Sequence, residues 1–236
     1  MTDPYAEIAR FYDAEWDGVE TDTAFYGRHG GAGPLLILGC GSGRVVRGLE
    51  GVRPVVGLDR SEPMLVAARG RSSSTYVQGD MCAFDVGRFA EIVIPNASFS
   101  FLLTRAEQAA CLACCRRALL PDGSLWIDVP MPDFARQAES HTAEKPAWQG
   151  VIDGVPARRT REVFRWAEAQ RLDLIDRYWR EDALITTSTL ALRLAYPAEL
   201  EWMLEACGFY VDAMFGDHGA GPIRAGSPRI IVRARL

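Results

Sequence analysis

The sequence predicts an α/β fold, a Rossmann-like seven-stranded mostly parallel sheet with an antiparallel β insertion after strand 5. Three observations carry this expectation. From about Pro34 to Val129 short apolar runs alternate with helix-like segments, the order that βαβ units require. After them come three runs rich in Thr, Val, Ile and aromatics, with no helical pattern between them. A glycine-rich turn, Gly39-Cys40-Gly41-Ser42-Gly43, stands directly behind the first apolar run.

Taken in order, the parallel strands are expected at Leu35–Leu38, Val55–Asp59, Thr75–Gln78, Ile92–Pro95 and Ser124–Val129. The clearest helices between them are Pro63–Arg69 and Arg105–Leu120, the second stopped by Pro121-Asp122-Gly123. Residues 131–196 are expected to form a lid and antiparallel insertion within one domain spanning 1–236. Met131 to Gly154 is polar, contains proline and lacks a strong period, which reads as a helix-bearing lid. Strands at Arg158–Trp166, Arg171–Arg180 and Ile185–Leu194 follow as a meander. Pro197 opens an amphipathic helix, Ala198–Cys207, that Gly208 ends, and Tyr210–Phe215 with Arg229–Ala234 read as an antiparallel pair at the sheet edge.

At 236 residues the chain can bury a full core without staples. Its formal net charge of −5 argues against nucleic acid as a partner and leaves small molecules as the better fit. The first residues lack the basic start and apolar core of a signal peptide, and no run approaches the ~20 apolar residues of a membrane span, so a cytoplasmic protein without membrane contact is expected. Lys145 is the sole lysine. Cys111, Cys114 and Cys115 share one helical face, but no second CxxC or neighbouring histidine completes a tetrahedral site, so they read as buried thiols and no metal is expected.

The glycine turn lets a ligand approach the main chain, and the helix after it offers unpaired N–H groups. A dinucleotide fingerprint needs a small residue at the sixth place, where this chain has Arg44. Asp59 ends the second strand about twenty residues on, where a carboxylate can accept from a ribose diol. Asp80 and Met81 end the third, where a carboxylate can accept from an adenine amine and a thioether can pack on the ring. Singly, Asp59 could serve the helix start at Ser61-Glu62-Pro63 and Asp80 could close a turn; their joint order favours an adenosyl group.

From IARFYDAEW through RIIVRARL the chain resembles the class I S-adenosylmethionine-dependent methyltransferases, above all the bacterial small-molecule members, including sugar N-methyltransferases of antibiotic pathways. The resemblance implies S-adenosyl-L-methionine as cofactor, with Gly39, Cys40 and Gly41 along its methionine moiety. It implies Asp59 at the ribose, Asp80 and Met81 at the adenine, and Phe11, Tyr12 and Trp16 closing over it. Arg60, Met64 and Asn96 complete the expected cofactor set. The implied function is N- or O-methylation of a small molecule, a natural product or other secondary metabolite. In such relatives the insertion covers the acceptor or mediates dimerisation, which leaves monomer and homodimer both open.

Two departures stand out. Ile37 occupies the place where the family usually carries an acidic residue, and Ala97-Ser98-Phe99-Ser100-Phe101-Leu102 replaces a segment that typically resembles NSFxHL. With Phe at 101, Tyr12 and His141 are the candidate catalytic residues; His218 is weaker, and His29 is expected in an exposed loop. Phe164, Trp166, Tyr178 and Trp179 are candidates for an acceptor pocket or for packing, and Arg159, Arg165 and Arg180 for an anionic acceptor or a solvated face. Two rival readings are a cyclase or pericyclase that uses the cofactor without methyl transfer, and a silent methyltransferase-like partner.

Overall fold

A computed structural model describes residues 8–16 and 18–236. In chain order the elements are α1 (Ala9–Trp16), α2 (Thr21–His29), β1 (Leu35–Leu38), α3 (Arg44–Leu49), β2 (Val55–Asp59), α4 (Glu62–Arg69), β3 (Thr75–Gln78) and β4 (Phe89–Ile94). A 3-10 turn (Ser98–Phe101) leads to α5 (Arg105–Ala118) and β5 (Leu119–Pro130). The insertion comprises α6 (Phe134–Gln137), β6 (His141–Ile152), β7 (Val155–Trp166), β8 (Arg171–Arg180) and β9 (Ala183–Arg193), and α7 (Pro197–Ala206), β10 (Tyr210–Phe215) and β11 (Arg229–Arg235) close the fold.

The main sheet has seven strands in the order β10-β11-β5-β4-β1-β2-β3. The pairs β3/β2, β2/β1, β1/β4 and β4/β5 are parallel, while β11 runs antiparallel to both β5 and β10. β1 is buried at every position because helices cover both sheet faces, which is why its sequence is an unbroken LLIL. One layer packs α5 and α7 residues such as Leu112 and Leu200 on the sheet, and the other packs Phe25 and Tyr26 of α2 on Trp126. Cys111, Cys114 and Cys115 lie buried in the first layer.

The crossover from β1 outward to β2 and β3 on one side and to β4 and β5 on the other puts the switch of direction between β1 and β4. A crevice at the carboxyl ends of those two strands is the place where such sheets bind ligands. Gly39 follows β1 there, and Asn96 and Ala97 follow β4 with φ of 50° and 66°.

The structure departs from the sequence expectation in three places. The segment read as a helix-bearing lid holds only the four-residue α6, and His141 to Ile152 extends into a strand, so the insertion sheet has four strands, β6-β7-β8-β9. β6 is an edge strand with shifted register and mostly exposed side chains, so no apolar alternation marked it. α5 stops at Ala118, because the fully buried Leu119 pairs with Phe89 and begins β5 ahead of Pro121. His29 ends α2, half-buried against the rings of Phe25 and Phe215 at 4.6 and 5.6 Å, and is no loop residue.

Candidate active site

A cavity of about 450 Å³ opens over the carboxyl ends of β1 and β4. Its floor is the main sheet, α1 lies along one side and the inner face of β7, β8 and β9 forms the wall that adjoins α1.

Gly39, Gly41 and Gly43 all have positive φ, a conformation that glycine adopts without strain. A Cβ on Gly39 would stand 2.5 Å from Ser98 Oγ, so the turn also needs the space. Four of its five amides are engaged within the fold. Those of Gly39 and Cys40 donate to the Leu58 carbonyl at 2.8 and 3.1 Å, and that of Gly43 to the Cys40 carbonyl at 3.0 Å. The Gly41 N–H donates to Asp59 Oδ2 at 2.7 Å. The turn thus supplies room for a ligand and holds a carboxylate in place.

Asp59 also accepts from the Ser61 N–H at 2.9 Å, so its carboxylate is clamped at the end of β2. A carboxylate oxygen accepts more than one hydrogen bond, and this clamp is compatible with a ribose hydroxyl. Asp80 Oδ1 accepts from the Cys82 N–H at 2.8 Å. Met64, Met81, Arg60 and Asp80 line the same end of the cavity as Asp59. Thioethers, an aliphatic stem and two carboxylates there make a surface suited to an adenosyl group.

α1 presents Tyr12, Glu15 and Trp16 on one face, the i, i+3, i+4 spacing of a helix. Asn96 Nδ2 donates to the Tyr12 hydroxyl at 3.2 Å, which ties α1 to the turn after β4. Burial lifts the Tyr12 phenol above its usual value, with the Asn96 bond and Arg44 acting against the rise, so Tyr12 keeps its proton. Arg44 turns away from the cavity: it pairs with Asp22 at 2.6 and 2.5 Å and lies 5.6 Å from the Trp16 ring centroid. Ile37 is fully buried in the core that holds Trp126, an apolar role that explains the missing acid at that place.

Three expected site residues are not on the cavity wall. Phe11 faces the insertion and packs 5.0 Å from the Tyr178 ring, behind the wall it was expected to form. The Cys40 side chain turns into the core beside Tyr76, and burial followed by Asp59 pushes its thiol well up. His141 sits on the edge strand β6, where its Nε2 donates to Glu162 Oε1 at 2.9 Å and its ring stacks on Phe164 at 4.5 Å. Edge-strand pairing of His141 with Phe164 places the histidine on the outside of the insertion, so it is not a cavity base.

His218 is not solvent-facing either. Its Nε2 donates to Asp128 Oδ2 at 3.0 Å, and Asp128 is fully buried at the end of β5. Asp128 also accepts from Tyr26 at 3.3 Å, from the Asn96 N–H at 3.4 Å and from Arg229, while its carbonyl accepts from the Ala97 N–H at 2.9 Å. This residue therefore pins the left-handed turn that carries Asn96.

The insertion wall was only partly foreseen. Of the three arginines singled out, only Arg159 reaches the cavity; Arg165 bonds Thr142 and Arg180 the Ile152 carbonyl. Of the aromatics, Tyr178 lines the cavity, Phe164 stacks on His141, Trp166 bonds Asp173 and Trp179 lies under Arg158. Glu15, Arg161 and Asp176 were missed. Arg159 joins Glu15 through Nε (2.9 Å) and Nη2 and reaches Asp176 through Nη1 at 2.9 Å, and Arg161 grips Asp176 with two bonds of 2.7 Å. The shared parity of 159 with 161, and of 174, 176 and 178, was the signal available.

The comparisons with known proteins agree with this geometry. Residues 35–123 match the family model described as a methyltransferase domain. The CcbJ methyltransferase from Streptomyces caelestis superposes with a TM-score of 0.84 and 25% identity, over 100% of this chain and 99% of that one. The S-adenosylmethionine-bound CalS10 of Micromonospora echinaspora, an amino pentose methyltransferase, shares the fold at a TM-score of 0.71 and 21% identity, over 97% and 94% of the two chains. A trans-aconitate 2-methyltransferase of Sinorhizobium fredii (strain NBRC 101917 / NGR234) is 29% identical over 134 residues, 54% of this chain and 51% of the relative. The chain thus spans about half the length of the curated relatives it matches. Residues 35–123 are thus a methyltransferase domain, and the whole chain shares the fold of S-adenosylmethionine-dependent methyltransferases. Among the described residues no helix is long and apolar enough to cross a membrane.

Proposed function

We propose that this chain, as one domain with residues 131–196 as its acceptor-covering insertion, transfers a methyl group from S-adenosylmethionine to nitrogen or oxygen of a small natural product or other secondary metabolite. The observation that carries the reading is one cavity with two unlike halves, a glycine turn with clamped Asp59 on one side and the insertion wall on the other.

When bound, S-adenosylmethionine supplies an electrophilic methyl on a sulfonium, and the chain has mainly to align and desolvate. Asp59 and Asp80 orient the nucleoside, and Met64 and Met81 pack on it. Tyr12 and Asn96, held together, fix the position beside the turn where the acceptor meets the methyl. α1 and the insertion exclude water above it.

No histidine lines the cavity among the described residues, and the carboxylates of Glu15 and Asp176 are occupied by arginines. An acceptor that attacks through an existing lone pair, an uncharged amine or an ionised oxygen, suits such a site because neither needs a strong base. The test is to incubate the protein with S-adenosylmethionine and a panel of small amines and acids, measure cofactor binding by calorimetry and follow S-adenosylhomocysteine. Its acceptor-dependent formation is expected. Product without S-adenosylhomocysteine would replace this reading by the cyclase, and absent cofactor binding by the silent partner.

A further inference from the structure

We propose that Arg161 and Tyr178, on the inner face of the insertion, form a carboxylate-recognition site, so that the acceptor is a carboxylic acid with an apolar flank; this rests on the methyltransferase reading above.

The register pairs Arg161 with Asp176 and Arg159 with Tyr178, so Arg161 and Tyr178 are diagonal neighbours on adjacent strands. Both line the cavity. The charged groups beside them on that wall are paired with one another. Arg159 spends its donors on Glu15 and Asp176, and Asp176 takes Nε and Nη2 of Arg161. What remains on that wall is donors. Arg161 Nη1 makes no hydrogen bond among the described residues, and its side chain is 33% exposed. The Tyr178 ring is buried, and its hydroxyl, which makes no hydrogen bond among the described residues, opens on the cavity. A phenol O–H that opens on a cavity beside a guanidinium N–H offers two donors to one acceptor group.

A carboxylate supplies two acceptor oxygens in one plane and matches a guanidinium edge, whereas an ammonium would find the nearby carboxylates already occupied. The wall charges agree. At the insertion end Arg159 and Arg161 stand with Glu15 and Asp176, while at the other end Asp59, Asp80 and Glu107 stand with Arg60 alone; Arg229, on β11, is paired with Asp128. The insertion end is thus balanced in charge and the other end negative, so an anion is better tolerated at the first. Leu174, Leu190 and Leu192 line the cavity beside the two donors and set the apolar flank. The carboxylate is a recognition group, since pairing with a guanidinium weakens it as a nucleophile; the reacting atom lies elsewhere in the same molecule, towards Tyr12 and Asn96.

The probe is hexanoate, compared with hexanamide and hexylammonium, titrated by calorimetry and ligand-observed NMR into wild-type protein with and without saturating S-adenosylhomocysteine. Hexanoate is expected to bind about tenfold or more tightly than either counterpart. R161Q is expected to lower its affinity about tenfold and Y178F about three- to fivefold, with S-adenosylhomocysteine affinity held within about twofold in both as the check on folding. Equal binding of hexanoate and hexanamide, or an R161Q protein that binds S-adenosylhomocysteine and hexanoate as wild type does, overturns the proposal. The acid-against-amide comparison needs no variant, so it decides the matter even where R161Q fails to fold. Failure of S-adenosylhomocysteine to bind would count against the methyltransferase reading alone, because the hexanoate preference is also read without it.

Discussion

His218 donates to Asp128 Oδ2 at 3.0 Å, the same carboxylate oxygen that accepts the Asn96 N–H at 3.4 Å beside the cavity. Asp128 is fully buried and shared by a histidine, a tyrosine and an arginine, so removing it strands three polar groups. D128A is expected to cost about 3–5 kcal/mol, a drop in Tm on the order of 10 °C for a chain of this length. Thermal unfolding followed by circular dichroism measures it. A shift under about 2 °C would mean that the cluster carries no net stability.

The Gly39 position tests the turn. Alanine there would meet Ser98 Oγ at 2.5 Å and Ser98 Cβ at 2.6 Å, at a φ of +67°. G39A is expected to lose on the order of 2 kcal/mol in denaturant unfolding, and G39A/S98G to regain the part due to the clash but none of that due to φ.

Asp59 tests the cofactor half. D59N keeps the shape but sets an amide against the N–H groups of Gly41 and Ser61. Calorimetry with S-adenosylmethionine is expected to show affinity lowered about ten- to a hundredfold, and unchanged affinity would remove Asp59 from the cofactor site.

Asp22 predicts a pH dependence. Burial alone would raise its carboxyl, but the hydrogen bonds and charge of Arg44 outweigh burial and hold it below the usual range. A lowered folded-state value gives stability that is present above the unfolded value of about 3.9 and is lost as pH falls through the folded one. The Tm gap between wild type and D22N is therefore expected to be constant above about pH 5 and to narrow below about pH 4. A gap independent of pH down to about 3 would contradict the pairing.

His141 predicts an absence of effect. It lies outside the cavity and bonds Glu162, so H141Q should leave kcat and KM within about twofold once an acceptor is found. A loss of a hundredfold would restore it as a catalytic candidate.

The main sheet was legible because helices bury both its faces, and β1, fully buried, can only read as an apolar run. The gathering of glycine, aspartate and methionine at one end of the cavity was legible for a related reason: they fall at strand ends, where the chain order alone places them together. The insertion wall was not. Both parities of β7 carry charge, Arg158 and Glu162 on one side and Arg159 and Arg161 on the other, so alternation could not say which side faces inward. β6 hid for want of apolar residues, and His141, assigned to a lid, was carried out of reach by strand pairing with Phe164. Phe11 shows the limit within a helix, since one residue's step from Tyr12 separates the cavity from the packing behind it.

The four-stranded insertion stands as a sheet apart from the seven-stranded one. Its inward positions on β7, β8 and β9 line the half of the cavity away from Asp59 and Asp80. Under the proposed function, selection for a new substrate can rewrite alternate residues of three strands while the end that holds Asp59 and Asp80 stays as it is, and a library confined to positions 161, 174, 178, 190 and 192 would explore most of that freedom.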